Sequence, residues 1–112
     1  MDCLFCKIAA GEIPSKKLFE DDTLIAFYDI APQAPLHFLV VPKKHIESAA
    51  ALSEEDGALL GHIYGVIARL CEEQGCEKGY RVVTKVGEVG GQTVKHLHFH
   101  VLAKRSLAWP PG

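Results

Sequence analysis

Apolar positions recur along this chain with two different periods. Leu59, Leu60, Ile63, Val66, Ile67 and Leu70 fall at three- and four-residue spacings, which is one stripe of an amphipathic helix. Ser53-Glu54-Glu55-Asp56 precedes the stripe as a start signal, because Ser caps and acids favour the positive end of the helix dipole. Gly75 closes it. His62 falls on this helix as a face or packing residue, and Cys71 and Cys76 flank its end as packing thiols. A shorter helix is predicted over residues 3–10, with Leu4, Phe5 and Ile8 as its apolar side and Gly11 as its stop. The remaining runs have strand character. They are residues 17–20 and 23–28, joined through Asp21-Asp22 in a tight hairpin, then 36–41, 80–85 and 95–103. The stretch Asp29 to Pro35 carries two prolines and is a loop. Short hairpin-linked strands with two helices predict an α+β domain, an antiparallel sheet with its helices on one side.

The last strand has an unusual polar face. His96-Leu97-His98-Phe99-His100-Val101-Leu102 places three of the six histidines at alternate positions. Strand geometry puts those three rings on one face and Leu97, Phe99 and Val101 on the other. Next-but-one residues lie roughly 6.5–7 Å apart, so one small ligand can meet two or three rings. Imidazole titrates nearest neutral pH. A row of three points to proton transfer, nucleophilic attack or metal binding.

Composition narrows the field. The chain has 112 residues, 48% hydrophobic, which is one folded domain. Its net charge of −2 supplies no basic field to draw nucleic acid or an anionic membrane. No apolar run approaches the roughly 20 residues of a membrane span. Met1 to Cys6 lacks the basic start and apolar core of a leader, so a cytoplasmic location is expected. In that compartment four cysteines are thiols or metal ligands before they are disulfides. Cys3 and Cys6 form a Cys-x-x-Cys pair. It is either half of a tetrahedral zinc site or two inert buried thiols.

The loop ahead of the histidine row is Gly90-Gly91-Gln92-Thr93. Its glycines let backbone N–H groups approach an anion, and Gln92 and Thr93 add donors. A phosphate held there would lie beside the histidines, an arrangement suited to attack of an imidazole nitrogen on phosphorus.

The histidine row resembles the defining motif of the histidine triad family, and the likeness extends over nearly the whole chain. Cys6-Lys7-Ile8, Gly11-Glu12-Ile13-Pro14, Asp29-Ile30, Pro32-Gln33-Ala34-Pro35, Pro42-Lys43-Lys44-His45-Ile46, Gly90-Gly91-Gln92-Thr93-Val94 and Trp109-Pro110-Pro111-Gly112 are similar to its nucleotide-binding branch. The resemblance implies a five-stranded antiparallel sheet with one short and one long helix, joined in a homodimer with the long helices at the interface and Trp109 near the partner's site. It implies a purine nucleoside phosphoramidase. His98 would be the catalytic nucleophile, with His100 and Thr93 binding phosphate or helping the leaving group, and His96 supporting. Asp29 would hold the ribose. Phe5, Ile8, Phe27 and Ile30 would line the base pocket, and Lys85, Gly91 and Gln92 would lie near the phosphate. No cofactor serves the chemistry, but Cys3, Cys6, His45 and His96 are implied as ligands of a structural zinc. Two positions depart from the branch: Lys85 replaces its usual asparagine, and Ala103-Lys104 replaces its usual glycine pair. A nucleotide-binding module with little turnover, or a dinucleoside polyphosphate hydrolase, are the alternatives.

Overall fold

The structure, a computed structural model, describes residues 3–112. Met1 and Asp2, the start of the segment read for a leader, lie outside the described residues. The strands are β1 (Lys17–Glu20), β2 (Leu24–Tyr28), β3 (Leu36–Pro42), β4 (Tyr80–Val83) and β5 (Phe99–Ala103), and the helices are α1 (Leu4–Ala9) and α2 (Gly57–Glu73). One antiparallel five-stranded sheet runs in the order β1-β2-β3-β5-β4. The β1–β2 turn forms because Asp21 bends the chain onto its own carboxylate. Asp21 Oδ1 accepts from the N–H groups of Thr23 at 2.8 Å and Leu24 at 2.9 Å.

The central strand β3 is buried along its whole length. Side chains alternate across a strand, so a strand buried at every position must be covered on both faces. Leu36, Phe38 and Val40 join Leu24, Ala26, Leu97, Phe99 and Val101 in one core, which Ile63, Val66, Ile67 and Leu70 of α2 cover. Leu39 and Val41 join Ile25 and Phe27 in a second core, covered by Phe5 and Ile8 of α1. The two helices therefore lie on opposite faces of the sheet, which corrects the expectation of helices on one side.

Three element boundaries also differ from expectation. The α-helix starts at Gly57; Ser53 instead precedes a short 3-10 turn, Glu54–Asp56, and its N–H donates to Asp56 Oδ2 at 2.9 Å. The fifth strand begins at Phe99, not Lys95. Its partner β3 ends at Pro42, which has no N–H to continue the ladder. The stretch before Phe99 is held by other groups: Leu97 N–H donates to Ile46 O at 2.6 Å, and the Thr84 hydroxyl donates to His98 O at 2.8 Å. Similarly β4 stops at Val83, short of Lys85. Among the described residues, no helix is long and apolar enough to cross a membrane.

Candidate functional site

The sheet face beneath α1 gathers the chemistry. His100 on β5 pairs with Leu39 of β3, and His37 of β3 pairs with Leu102 of β5. Directly paired residues share a face, so the two rings are diagonal neighbours. His37 Nε2 and His100 Nδ1 lie 2.9 Å apart. The His98 ring stands 5.1 Å from that of His100 and meets Phe5 of α1 edge-on at 4.8 Å. Phe5 also packs on Phe27 at 5.8 Å, so α1 closes one side of the surroundings of His98. Beside His100, an open depression of about 470 Å³ is lined by Asp29, Gln33, His37, Val83 and Lys85 among others.

Main-chain groups decide which nitrogen of each ring carries its proton. A carbonyl only accepts and a backbone N–H only donates. His98 Nδ1 lies 2.6 Å from His96 O, so it is Nδ1 that holds the proton, and Nε2 keeps a lone pair. His96 Nε2 lies 2.8 Å from Pro42 O and donates to it, leaving Nδ1 bare. Gln33 N–H donates to His37 Nδ1 at 3.0 Å. His37 therefore carries its proton on Nε2 and gives it to His100 Nδ1, and the neutral His100 ring bears its proton on Nε2. Asp29 Oδ2 stands off at 3.4 Å from His37 Nε2 and 3.8 Å from His100 Nδ1.

These rings are held neutral. Burial lowers the pKa of His37, His96 and His98 below the ordinary 6.5, and lowers that of His100 to about 4. The charges of His98, His37 and Lys85 push His100 the same way, and Asp29 opposes them. A neutral imidazole has the lone pair that nucleophilic attack needs.

A second cluster lies next door. Cys3 Sγ, Cys6 Sγ, His45 Nδ1 and His96 Nδ1 lie within 4.8 Å of one another. His96 Nδ1 is 3.3 Å from Cys3 Sγ, 3.4 Å from Cys6 Sγ and 3.1 Å from His45 Nδ1. Two sulfurs and two nitrogens at such spacing match a tetrahedral metal set. The carbonyl that takes the His96 proton is the supporting contact that metal-bound histidines show. The residues present thus fit a metal. Asp29, His37 and His100 are also close enough to one another, but there the Gln33 N–H keeps a proton on His37 Nε2, the atom a metal would need. His37 and His100 are instead joined by a hydrogen bond, with the Asp29 carboxylate beside them.

Known proteins share this fold. The family described as scavenger mRNA decapping enzyme C-term binding matches residues 2–108. An uncharacterised HIT-like protein of Synechococcus elongatus is 49% identical over 111 residues, 99% of this chain and 97% of that protein. The crystal structure of a HIT family hydrolase from Legionella pneumophila superposes with a TM-score of 0.98 at 47% identity, covering 99% of this chain and 100% of that one. A histidine triad protein from Clostridium difficile gives 0.93 at 50% identity, covering 96% and 95%. The chain belongs to the histidine triad family.

Its triad residues diverge in role within this structure. His96 turns to the cysteine cluster, His98 keeps a free Nε2, and only His100 lies inside the β5 ladder. Among the other expected residues, Phe5, Ile8 and Phe27 are buried together, and Ile30 is fully exposed. Asp29 gives Oδ1 to the N–H of Ala31 at 2.8 Å and turns Oδ2 toward the histidines. Thr93 is exposed. The glycine loop differs from the anion cradle expected of it. Gly91 N–H donates to Glu88 O and Gln92 N–H to Gly87 O, both at 3.0 Å. The Gln92 side chain braces the loop through Glu47 O at 2.7 Å and Val94 O at 3.0 Å. Gly90 is required by space, since a Cβ there would lie 2.3 Å from Val86 O. His37 was not among the residues singled out from the sequence. The signal for it was present: a lone polar residue inside the apolar run Leu36 to Val41, on the parity that faces a histidine strand.

Proposed function

We propose that this protein hydrolyses the P–N bond of purine nucleoside 5′-phosphoramidates through a nucleotidyl-histidine intermediate. One observation carries the proposal: His98 donates Nδ1–H to the His96 carbonyl, which leaves Nε2 as an oriented lone pair. Attack of Nε2 on the α-phosphorus forms an N–P bond and breaks the P–N bond to the amine. The ring becomes cationic as the bond forms, and the 2.6 Å contact to a carbonyl stabilises that charge. The departing nitrogen must be protonated to leave. Water then attacks phosphorus, its hydroxyl ends on the nucleoside monophosphate, and its proton returns what the amine took. His100, Thr93 and Lys85 serve the phosphoryl oxygens, and Asp29 serves the ribose. The similar protein of Legionella pneumophila is described as a HIT family hydrolase, which supports the assignment. Lys85 lines the depression as a fixed cation, which favours, as a second reading, a nucleotide-binding module that releases product slowly.

Cys3, Cys6, His45 and His96 would hold a zinc ion with no open position, so it would tie α1 to the loops and supply no chemistry. We further propose a homodimer in which α2 meets its copy. Gly57, Gly61 and Gly65 recur four residues apart on α2, and a Cβ at any of them would meet nothing within 4 Å. The fold itself does not need them small. Tyr64 is half-exposed on the same helix, and Trp109 is exposed.

An adenosine phosphoramidate carrying a fluorescent amine tests the function. Wild type releases the amine, and His98→Ala lowers release by about 10³-fold or more. Equal release from both overturns the role of His98. Nucleotide binding with no release from wild type selects the binding module.

A further inference from the structure

The proton on the third histidine is set from outside the triad. Just past β5 the chain turns back at Lys104, and Arg105 reaches the loop that follows β2. Arg105 Nε donates to Gln33 O at 2.9 Å, and Arg105 Nη1 donates to Ser106 O at 3.1 Å. Gln33 is the residue whose N–H donates to His37 Nδ1. Its side chain donates to Ala31 O at 3.0 Å, within the same loop. A continuous line thus runs from Arg105 to the Gln33 backbone, to His37 and to His100. Pro32 and Pro35 flank Gln33 and bring no N–H of their own to fix the loop.

Resting on the phosphoryl-transfer function proposed above, we propose that Arg105 is a positioning residue that keeps His100 a neutral ring with its proton on Nε2, by anchoring the Gln33 carbonyl and so holding the Gln33 main chain with its N–H against His37. The consequence of losing it follows from the tautomers. Without the Gln33 N–H, His37 is free to carry its proton on Nδ1 and to accept at Nε2. His100 must then donate from Nδ1, and its Nε2 becomes a bare lone pair. A donor toward an anionic phosphoryl group becomes an acceptor that repels it. Losing such a donor outright costs about 10²–10³-fold in kcat. Partial loss through a mixed tautomer population costs less, about 3- to 10-fold.

Long-range proton–nitrogen NMR correlations of the histidine rings read the tautomers directly, with or without turnover. In the wild type, His37 carries its proton on Nε2 and His100 on Nε2. In Arg105→Ala both rings become tautomer mixtures, and Arg105→Lys, which keeps a donor for Gln33 O, retains the wild-type pattern. With an adenosine phosphoramidate, Arg105→Ala lowers kcat by about 3- to 10-fold with KM within about twofold, and Arg105→Lys recovers most of it. A proton on His37 Nδ1 in the wild type overturns the proposal without need of any variant. So does an Arg105→Ala protein whose tautomers match the wild type. If the wild type binds nucleotide without turnover but the tautomers of Arg105→Ala shift as described, the phosphoramidase function fails and the Arg105 tether stands.

Discussion

Lys104 has a backbone φ of 70°, where a Cβ crowds the following carbonyl at a cost of about 1 kcal/mol or more. Glycine is the residue that adopts this conformation freely, and it occupies this turn in the branch this chain resembles. Lys104→Gly relieves the crowding but loosens the unfolded chain, so the net gain is about 0.5–1 kcal/mol. In a domain of this size that raises the melting temperature by roughly 2–5 °C. A melting temperature below that of the wild type would show the turn is not under strain. The same single-residue scale explains what the sequence hid at the site. The row His96, His98, His100 was visible as alternation. Which nitrogen of each ring is bare was not, because it depends on the carbonyls of His96 and Pro42 and on the N–H of Gln33. Those contacts come from residues up to 54 positions away, and no local pattern encodes them.

At the scale of elements, α1 is the least self-sufficient part of the fold. It has six residues, far below the roughly 12–15 that an isolated helix needs. Burial of Phe5 and Ile8 holds its middle. Its start is held by Cys3, whose Sγ accepts from the Cys6 N–H at 3.3 Å. A metal bound by Cys3, Cys6, His45 and His96 would fasten that start to two distant loops. Elemental analysis of reduced wild type should give about one zinc per chain, and Cys3→Ser with Cys6→Ser should give none. In that double variant the Lys7 and Ala10 amides, which donate to Cys3 O and Cys6 O, should exchange faster, with α2 amides unchanged. Wild type without metal, or unchanged exchange at α1, removes the cluster's structural role. The periodicity of Leu59 to Leu70 and the strand runs made the elements legible, because burial on one side leaves a local trace. The placement of α1 opposite α2 was less legible. The clue was β3, whose apolar run, interrupted only by His37, requires cover on both faces. The early end of the β5 ladder was also missed, since it depends on Pro42 in a different strand.

Two predictions concern the whole molecule. The first follows from the glycine face of α2. Gly65→Arg raises local helix propensity by about 1 kcal/mol and places a large cation on the proposed interface. It should leave the circular dichroism spectrum intact and halve the mass seen by light scattering; a variant that keeps the wild-type mass excludes that helix face. The second is the acid limit of stability. Burial keeps His37 and His100 neutral in the folded protein, with His100 accepting a proton only at about pH 4. In the unfolded chain each accepts one at about pH 6.5. Between those values the unfolded state binds more protons, so stability falls as the pH drops from about 6.5 to 4, and above that window their contribution is constant. The exposed carboxylate of Glu20, held to about pKa 2 by Lys17 and Lys43, acts in the same direction but at lower pH. Its stabilisation is present above pH 4.5 and is lost at lower pH, so it does not mask the histidine window. Urea denaturation at pH 7, 6, 5 and 4 should therefore show declining stability for wild type and a shallower decline for His100→Gln. A wild-type profile flat across that range would mean the rings are not buried neutral, and with it would go the free lone pair that the proposed chemistry requires.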